Sequence, residues 1–228
     1  MDRSPPLSVK VWGDLALFTR PEFGAERVSY EVMTPSAARG VLEAIFWKPE
    51  FVWHVREIHV LKPTRHFSIL RNEMNSWQSD RTARDWAKTG VGNYFADSDR
   101  AQRHALCLRD VAYVIKADIE LRAHASAHPA KYRDQFRRRV QRGQCYHQPY
   151  LGTREFSAFF AEPEANERPI SRSDDLGLML RDIEFTSSDK TELLFLNHDA
   201  NGGKVVKGAA RPKFFQARLD LGVLRVPR

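Results

Sequence analysis

The stretch from Glu26 to Pro49, ERVSYEVMTPSAARGVLEAIFWKP, leaves the chain little choice of local structure. Thr34 is a good helix N-cap, and Pro35 stands in the first turn, where a missing N–H costs nothing. Ala37, Val41, Ala44 and Ile45 then recur at helical spacing, with Ala38 and Leu42 beside them. Pro49 stops the run. Arg39 and Glu43 are spaced to pair on the other side of the helix. Ala37, Ala38, Gly40 and Ala44 are small, which predicts a helix lying close on a sheet. The aromatic pair Phe46–Trp47 then arrives at the C-terminal end of an anchored helix, where a site can be built.

The flanking segments read as strands. Val9, Val11, Leu15 and Leu17 alternate with Ser8, Lys10 and Asp14, and Gly13 predicts a bulge between them. Phe51, Trp53 and Val55 keep one phase and Ile58 and Val60 the other, which predicts a second strand with a bulge near Arg56. Val111 to Leu121 alternates most cleanly, and Tyr150 to Phe160 reads as a further strand. Residues 64–104 hold HFSILRNEMNSW, a strand or one arm of a hairpin, and then a polar, turn-rich run with a basic surplus that reads as an insertion. Lys131 to Arg142, KYRDQFRRRVQR, is a second helix with Tyr132, Phe136 and Val140 on one stripe and Gly143 at its end. Residues 161–175 read as a linker. Leu176–Leu180, the LLFL at 193–196 and Phe215–Val223 read as strands, with NHDANGGK as a hairpin turn.

Strand, helix, strand, insertion, strand, helix, strand is the ferredoxin-like order, the architecture of RNA-recognition-motif proteins. The sequence therefore predicts an α+β protein. A ferredoxin-like domain spans 1–163 with its insertion at about 64–104, and a small C-terminal antiparallel β-sheet domain spans 164–228. No ribonucleoprotein aromatic motif is present.

The net charge of +7 favours polyanionic partners, nucleic acid first. Much of it sits on the second helix, where Lys131, Arg133, Arg137, Arg138, Arg139 and Arg142 face only Asp134. Such a run either neutralises phosphates or forms a solvated face. No apolar run nears the roughly 18 residues of a membrane span, and the N-terminus lacks the apolar core of a signal peptide. Cys107 and Cys145 form no framework, which fits a reduced, cytoplasmic setting. The histidines are scattered, with no HxxxH or HExxH on a helix, so no metal site is expected. A phosphate-binding glycine loop and a nucleophile elbow are also missing, and no cofactor is expected.

GDLALFTRPEF, ERVSYEVMTPSAARGVLEAIFWKP, IHVLKP, RNE and LGTREF, in this order over roughly residues 8–160, resemble the repeat-processing endoribonucleases of subtype I-C CRISPR systems, a RAMP family. The resemblance implies metal-independent cutting of CRISPR repeat RNA. A ribose 2′-hydroxyl attacks the phosphate and leaves a 2′,3′-cyclic phosphate and a 5′-hydroxyl. It also implies a site made of a tyrosine near the end of the first helix, in an IYWKP-like context, and a Lys–His pair opening the second. In this chain the tyrosine's position is Phe46, the lysine is Lys131 and the histidine's position is Tyr132. Phe46 has no proton to move, so it packs or stacks. Tyr132 is an acid–base group or a packing residue; a free phenol is only about 0.1% ionised at neutral pH, and Lys131 and Arg133 beside it are expected to lower its pKa. His147 is a substitute proton carrier.

Arg133, Arg137, Arg138, Arg139 and Arg142, with Arg71 of the RNE motif, are the candidate RNA contacts. The resemblance further implies retention of the 5′ handle within the subtype I-C surveillance complex, with its backbone and large subunits as partners. Three readings stand open: a weakly to moderately active endoribonuclease acting on a repeat hairpin, a non-catalytic handle-binding scaffold, and a general binder of duplex DNA.

Overall fold

The computed structural model describes residues 5–76, 79–189, 191, 193–199 and 202–227. Its centre is a long strand, β5 (Arg100–Leu121), and the strand before it in space, β1 (Leu7–Ala16), runs antiparallel to it from Leu7↔Ala117 to Ala16↔Leu108. The alternation of β1 is real, since Leu7, Val9 and Val11 are buried. On the other flank of β5 lies β3 (Phe51–Val60), whose register shifts between Val55 and Glu57. The change of phase at Arg56 is thus a β-bulge, as expected. Arg56 there donates from Nε to Asp118 Oδ2 at 2.6 Å. Two short strands join the sheet: β2 (Arg27–Val28) runs parallel to β5, and β6 (Phe159–Ala161) pairs with the free edge of β1.

Two helices cover one face of this sheet. The first, α1 (Pro35–Ile45), starts where Thr34 Oγ1 accepts the N–H of Ala37 at 3.2 Å. Ala38, Val41, Leu42, Ala44 and Ile45 are buried on its inner face. The second, α3 (Pro129–Gln141), begins two residues earlier than the sequence predicts, because the His128 ring caps it through Nδ1 and Pro129 takes the first turn. It ends as expected: Gly143 adopts φ 62°, and the N–H groups of Gly143 and Gln144 return to the carbonyls of Val140 and Arg139. Phe51 and Trp53, which share a phase on β3, meet residues from both helices, so α1 and α3 lie side by side.

The C-terminal strands extend the same sheet. β10 (Val223–Arg225) fits between β3 and β9 (Gly202–Asp220), and β9 pairs with β7 (Asp174–Ser187) and β8 (Leu193–Asp199). The strand order is β6-β1-β5-β3-β10-β9-β7. Arg39 of α1 bridges to this region, pairing with both Glu43 at 2.9 Å and Asp182 at 2.7 Å. The hairpin pairing expected around NHDANGGK is present from Leu193↔Gly208 to Asp199↔Gly202, although residues 200 and 201 lie outside the described residues.

Five expectations need correction. Gly13 is not a bulge; it keeps register opposite Val111, and a Cβ there would stand 2.7 Å from Leu151 Cδ1. Tyr150 to Phe160 is not one strand. LGTREF turns back on itself, with Leu151 N–H bonded to the Phe156 carbonyl, and sends Leu151 into the core. The clean strand at 111–121 is the inner half of β5, whose outer half pairs with β4 (His66–Met74). The polar run that follows contains α2 (Asp80–Thr89), capped by Ser79 and ended by Gly90, with no buried residue. Gly40 plays no part in close packing, since nothing lies within 4 Å of a Cβ built on it. Among the described residues, no helix is long and apolar enough to cross a membrane.

Candidate active site

The last turn of α1 carries no basic residue, and its carbonyls are satisfied from outside. Ala44 O accepts the N–H groups of Tyr146 at 2.8 Å and His147 at 3.3 Å. Ile45 O accepts Arg139 Nη1 at 2.8 Å, and Phe46 O accepts Trp53 Nε1 at 2.9 Å. The guanidinium of Arg139 also stands 5.4 Å from the centre of the Phe46 ring. A cation from α3 therefore caps the negative end of α1 and holds the ring that follows it.

Phe51 ties the two helices together. Its ring centre is 5.4 Å from that of Phe46 and 5.4 Å from that of Tyr132. The positions expected to form the site thus converge, and both Phe46 and Tyr132 are buried while Lys131 beside them is exposed. Burial pushes the Tyr132 phenol above its ordinary value, and the nearby charge of Glu50 pushes it further the same way. This reverses the expected lowering by Lys131 and Arg133. Lys131 points to solvent, and Arg133 is buried with its guanidinium on the Pro5 carbonyl. Tyr132 keeps its proton at neutral pH.

The arginines divide into two groups. Arg133 and Arg139 are spent on the chain's own carbonyls. Arg137, Arg138 and Arg142 are exposed, and only Arg137 of these pairs with Asp134, at 3.0 Å. Arg71 is elsewhere, on β4 opposite Arg103, and is paired with Glu155. His147 is exposed on the loop that caps α1, its Nδ1 3.3 Å from the Gln148 carbonyl. Among the described residues, no group of three or more His, Cys, Asp or Glu side chains could hold a metal ion.

Spacing alone could have separated the arginines. Arg139 lies seven residues after Tyr132 and three after Phe136, on the buried stripe, and Arg133 precedes Phe136 and Val140 by three and seven. Three further residues at this end were not foreseen. Glu50 follows Pro49 directly, Arg122 follows β5, and His198 comes from the outer hairpin to meet Trp47. The first two were signalled only by their places beside strand ends, and His198 by nothing except a turn motif.

Residues 7–227 match the family model for Cas5d, described as a CRISPR-associated protein. The chain belongs to the Cas5d family. It is 47% identical over 221 residues to the CRISPR pre-crRNA endoribonuclease Cas5d of Thermus thermophilus, covering 97% of this chain and 91% of that one. It is 39% identical over 233 residues to the protein of the same name from Mannheimia succiniciproducens, covering 97% and 94%. A solved CRISPR-associated protein shares the fold at a TM-score of 0.62 and 22% identity, covering 100% of this chain and 94% of that one. For a Cas5d chain, the convergence of Phe46, Tyr132 and Lys131 is the arrangement that most needs a chemical account.

Proposed function

We propose that the protein is a CRISPR pre-crRNA endoribonuclease that cuts repeat RNA without metal, through attack of a ribose 2′-hydroxyl on the adjacent phosphate. The observation that carries this reading is the meeting of both helices on Phe51, which packs buried Phe46 and Tyr132 against one ring, with exposed Lys131 next to Tyr132 in the chain. In a chain 47% identical to a named pre-crRNA endoribonuclease, Lys131 is where the scissile phosphate is expected. Lys131 stabilises the charge that grows on the phosphate oxygens. Phe46 and Tyr132 act by packing: one has no proton and the other is buried and held neutral. His147, on the loop whose amides bond Ala44 O at the end of α1, serves as the proton carrier. Exposed Arg137, Arg138 and Arg142 hold the RNA backbone.

The fold reading goes with it. Residues 1–163 form a ferredoxin-like domain, supported by the order β6-β1-β5-β3 and by α1 and α3 as its two crossovers. Residues 164–228 form a C-terminal β unit joined to it through β10. After cutting, the protein keeps the 5′ handle of a repeat hairpin and joins a cytoplasmic surveillance complex with backbone and large subunits. A non-catalytic scaffold is the second reading, favoured by the burial of both departed positions.

The test is incubation with the protein's own CRISPR repeat RNA in excess EDTA, beside an RNA carrying a 2′-deoxy sugar upstream of the cut. Cleavage of the first alone, lost in Lys131→Ala, is the expected result. Tight binding with neither RNA cut would leave the scaffold. Ready displacement of RNA by duplex DNA would favour a purely electrostatic binder. Equal cleavage by Lys131→Ala would remove Lys131 from the site.

A further inference from the structure

Cleavage by 2′-hydroxyl attack moves two protons, and with His147 taken as the acceptor of the 2′-hydroxyl proton the departing group is left unserved. As the 2′-oxygen bonds to phosphorus, the P–O5′ bond breaks and the departing 5′-oxygen must take a proton. Phe46 has none to give and Tyr132 is buried. Lys131 is engaged with the phosphate.

His198 is remote in sequence from both helices, yet three contacts fix it at this end of the molecule. Its ring stands edge-on to Trp47, with centroids 5.0 Å apart and planes at 63°. Trp47 follows Phe46 directly and is 38% exposed. Arg122 donates from Nη1 to the His198 carbonyl at 3.1 Å. The N–H of Arg122 in turn bonds the Glu50 carbonyl at 2.8 Å, and Glu50 is the charge that Tyr132 feels. Contacts therefore run from His198 through Trp47 to Phe46, and through Arg122 and Glu50 to Tyr132.

The third constraint comes from across the hairpin. Gly203 is the cross-strand partner of His198, and a Cβ on it would stand 2.9 Å from His198 Cε1 and 3.2 Å from Nδ1. The imidazole lies over the place where a side chain would be. It is held by its backbone and its ring faces, and among the described residues its nitrogens have no hydrogen-bond partner. A histidine so placed, beside an exposed tryptophan that can stack an RNA base, is suited to proton transfer.

We propose that His198 is a catalytic residue, whose imidazolium gives its proton to the departing 5′-oxygen and is left as neutral imidazole. The proton of the 2′-hydroxyl passes to His147, so the step balances. The proposal rests on the reading of the chain as an RNA-cleaving enzyme. The charged groups around His198 are Arg122 after β5, Lys48 and Glu50 beside Trp47, and Asp199 and Lys204 on its own hairpin.

The test compares single-turnover cleavage by wild type and His198→Gln on two RNAs: the protein's own repeat, and the same RNA with a bridging sulfur in place of the scissile 5′-oxygen. A thiolate leaves without a proton. His198→Gln should slow the all-oxygen RNA by about 100-fold or more and remove the alkaline limb of the pH–rate profile. It should bind RNA as wild type does and cleave the thio-substituted RNA at close to the wild-type rate. Gly203→Ala, which keeps the histidine but displaces its ring, should give a smaller loss on the all-oxygen RNA alone. A wild-type rate and pH profile for His198→Gln, or an equal defect on both RNAs, would overturn the proposal. Failure of wild type to cut either RNA would overturn the endoribonuclease reading as well.

Discussion

The end of α1 and the outer half of the C-terminal ribbon are both rich in aromatic and aliphatic side chains, but they are built to opposite effect. At the end of α1, Phe46, Phe51, Trp53, Tyr132 and Phe136 are buried, and the carbonyls of Leu42, Ala44, Ile45 and Phe46 all accept hydrogen bonds, from another element or from the next turn. In the ribbon, Phe185 and Phe195 touch at 5.4 Å, yet Phe185, Leu194, Leu196 and Val205 are exposed. The difference is a second layer. A strand pair with nothing laid on it cannot bury its side chains, whatever their type. Two helices on β3 do bury theirs.

The largest expected effect follows directly. Phe51→Ala removes the ring on which Phe46, Trp53 and Tyr132 converge and should lower unfolding stability by about 3–5 kcal/mol. The same truncation at Phe185 should cost about 1 kcal/mol, the worth of one half-exposed aromatic pair. Denaturant melts of the two variants measure the contrast. Equal losses would mean that the ribbon is covered after all, and the comparison would fail.

A second contrast lies within α3 itself. Arg139→Ala takes away the donor on Ile45 O and the cation on Phe46, and should cost about 1–3 kcal/mol. Arg138→Ala, exposed one residue earlier, should change stability by no more than about 0.5 kcal/mol. RNA binding should invert the order. Each of Arg137, Arg138 and Arg142 replaced by Ala should weaken binding and reduce the salt dependence of log K by about 0.7–0.9 for every phosphate no longer neutralised. An unchanged salt slope in the triple variant would show that the exposed face of α3 does not touch the backbone of the RNA.

That contrast also marks how far the sequence could be read. The helix α1 was legible because Thr34, Pro35 and Pro49 are strong local signals, and the bulge at Arg56 because a strand that changes phase must bulge. The convergence of Phe46, Lys131 and Tyr132 followed once both helices were placed. What charge counting could not give was direction. Six cations on one helix look alike in a sum, but Arg133 and Arg139 fall on the buried stripe and are consumed by carbonyls. LGTREF misled because Gly152, at φ 91°, turns a segment that otherwise alternates like a strand. The outer end of β5 was hidden because Arg100, Gln102, Arg103 and His104 put polar residues on both faces and leave little period to find, although Ala105 and Cys107 beyond them are buried. His198 reaches the site because its hairpin meets Trp47 and Arg122, long-range contacts that no local pattern encodes.

The smallest expected effect tests the packing of α1 from its other side. Gly40 lies in the middle of the helix, exposed, with open space around a built Cβ. Its backbone needs no glycine, so Gly40→Ala should raise stability by about 0.5–1 kcal/mol, through the lower entropy of the unfolded chain and better helix propensity. The denaturant midpoint should move up with an unchanged slope. The sign matters more than the size. Ala38 and Ala44 show that the inner face of α1 is filled, and a gain at Gly40 would show that its outer face is free to accept a methyl group. A loss would place another element against that face. The end of α1 would then be enclosed on both sides, leaving RNA no approach to Trp47 and Lys131 along the outside of the helix.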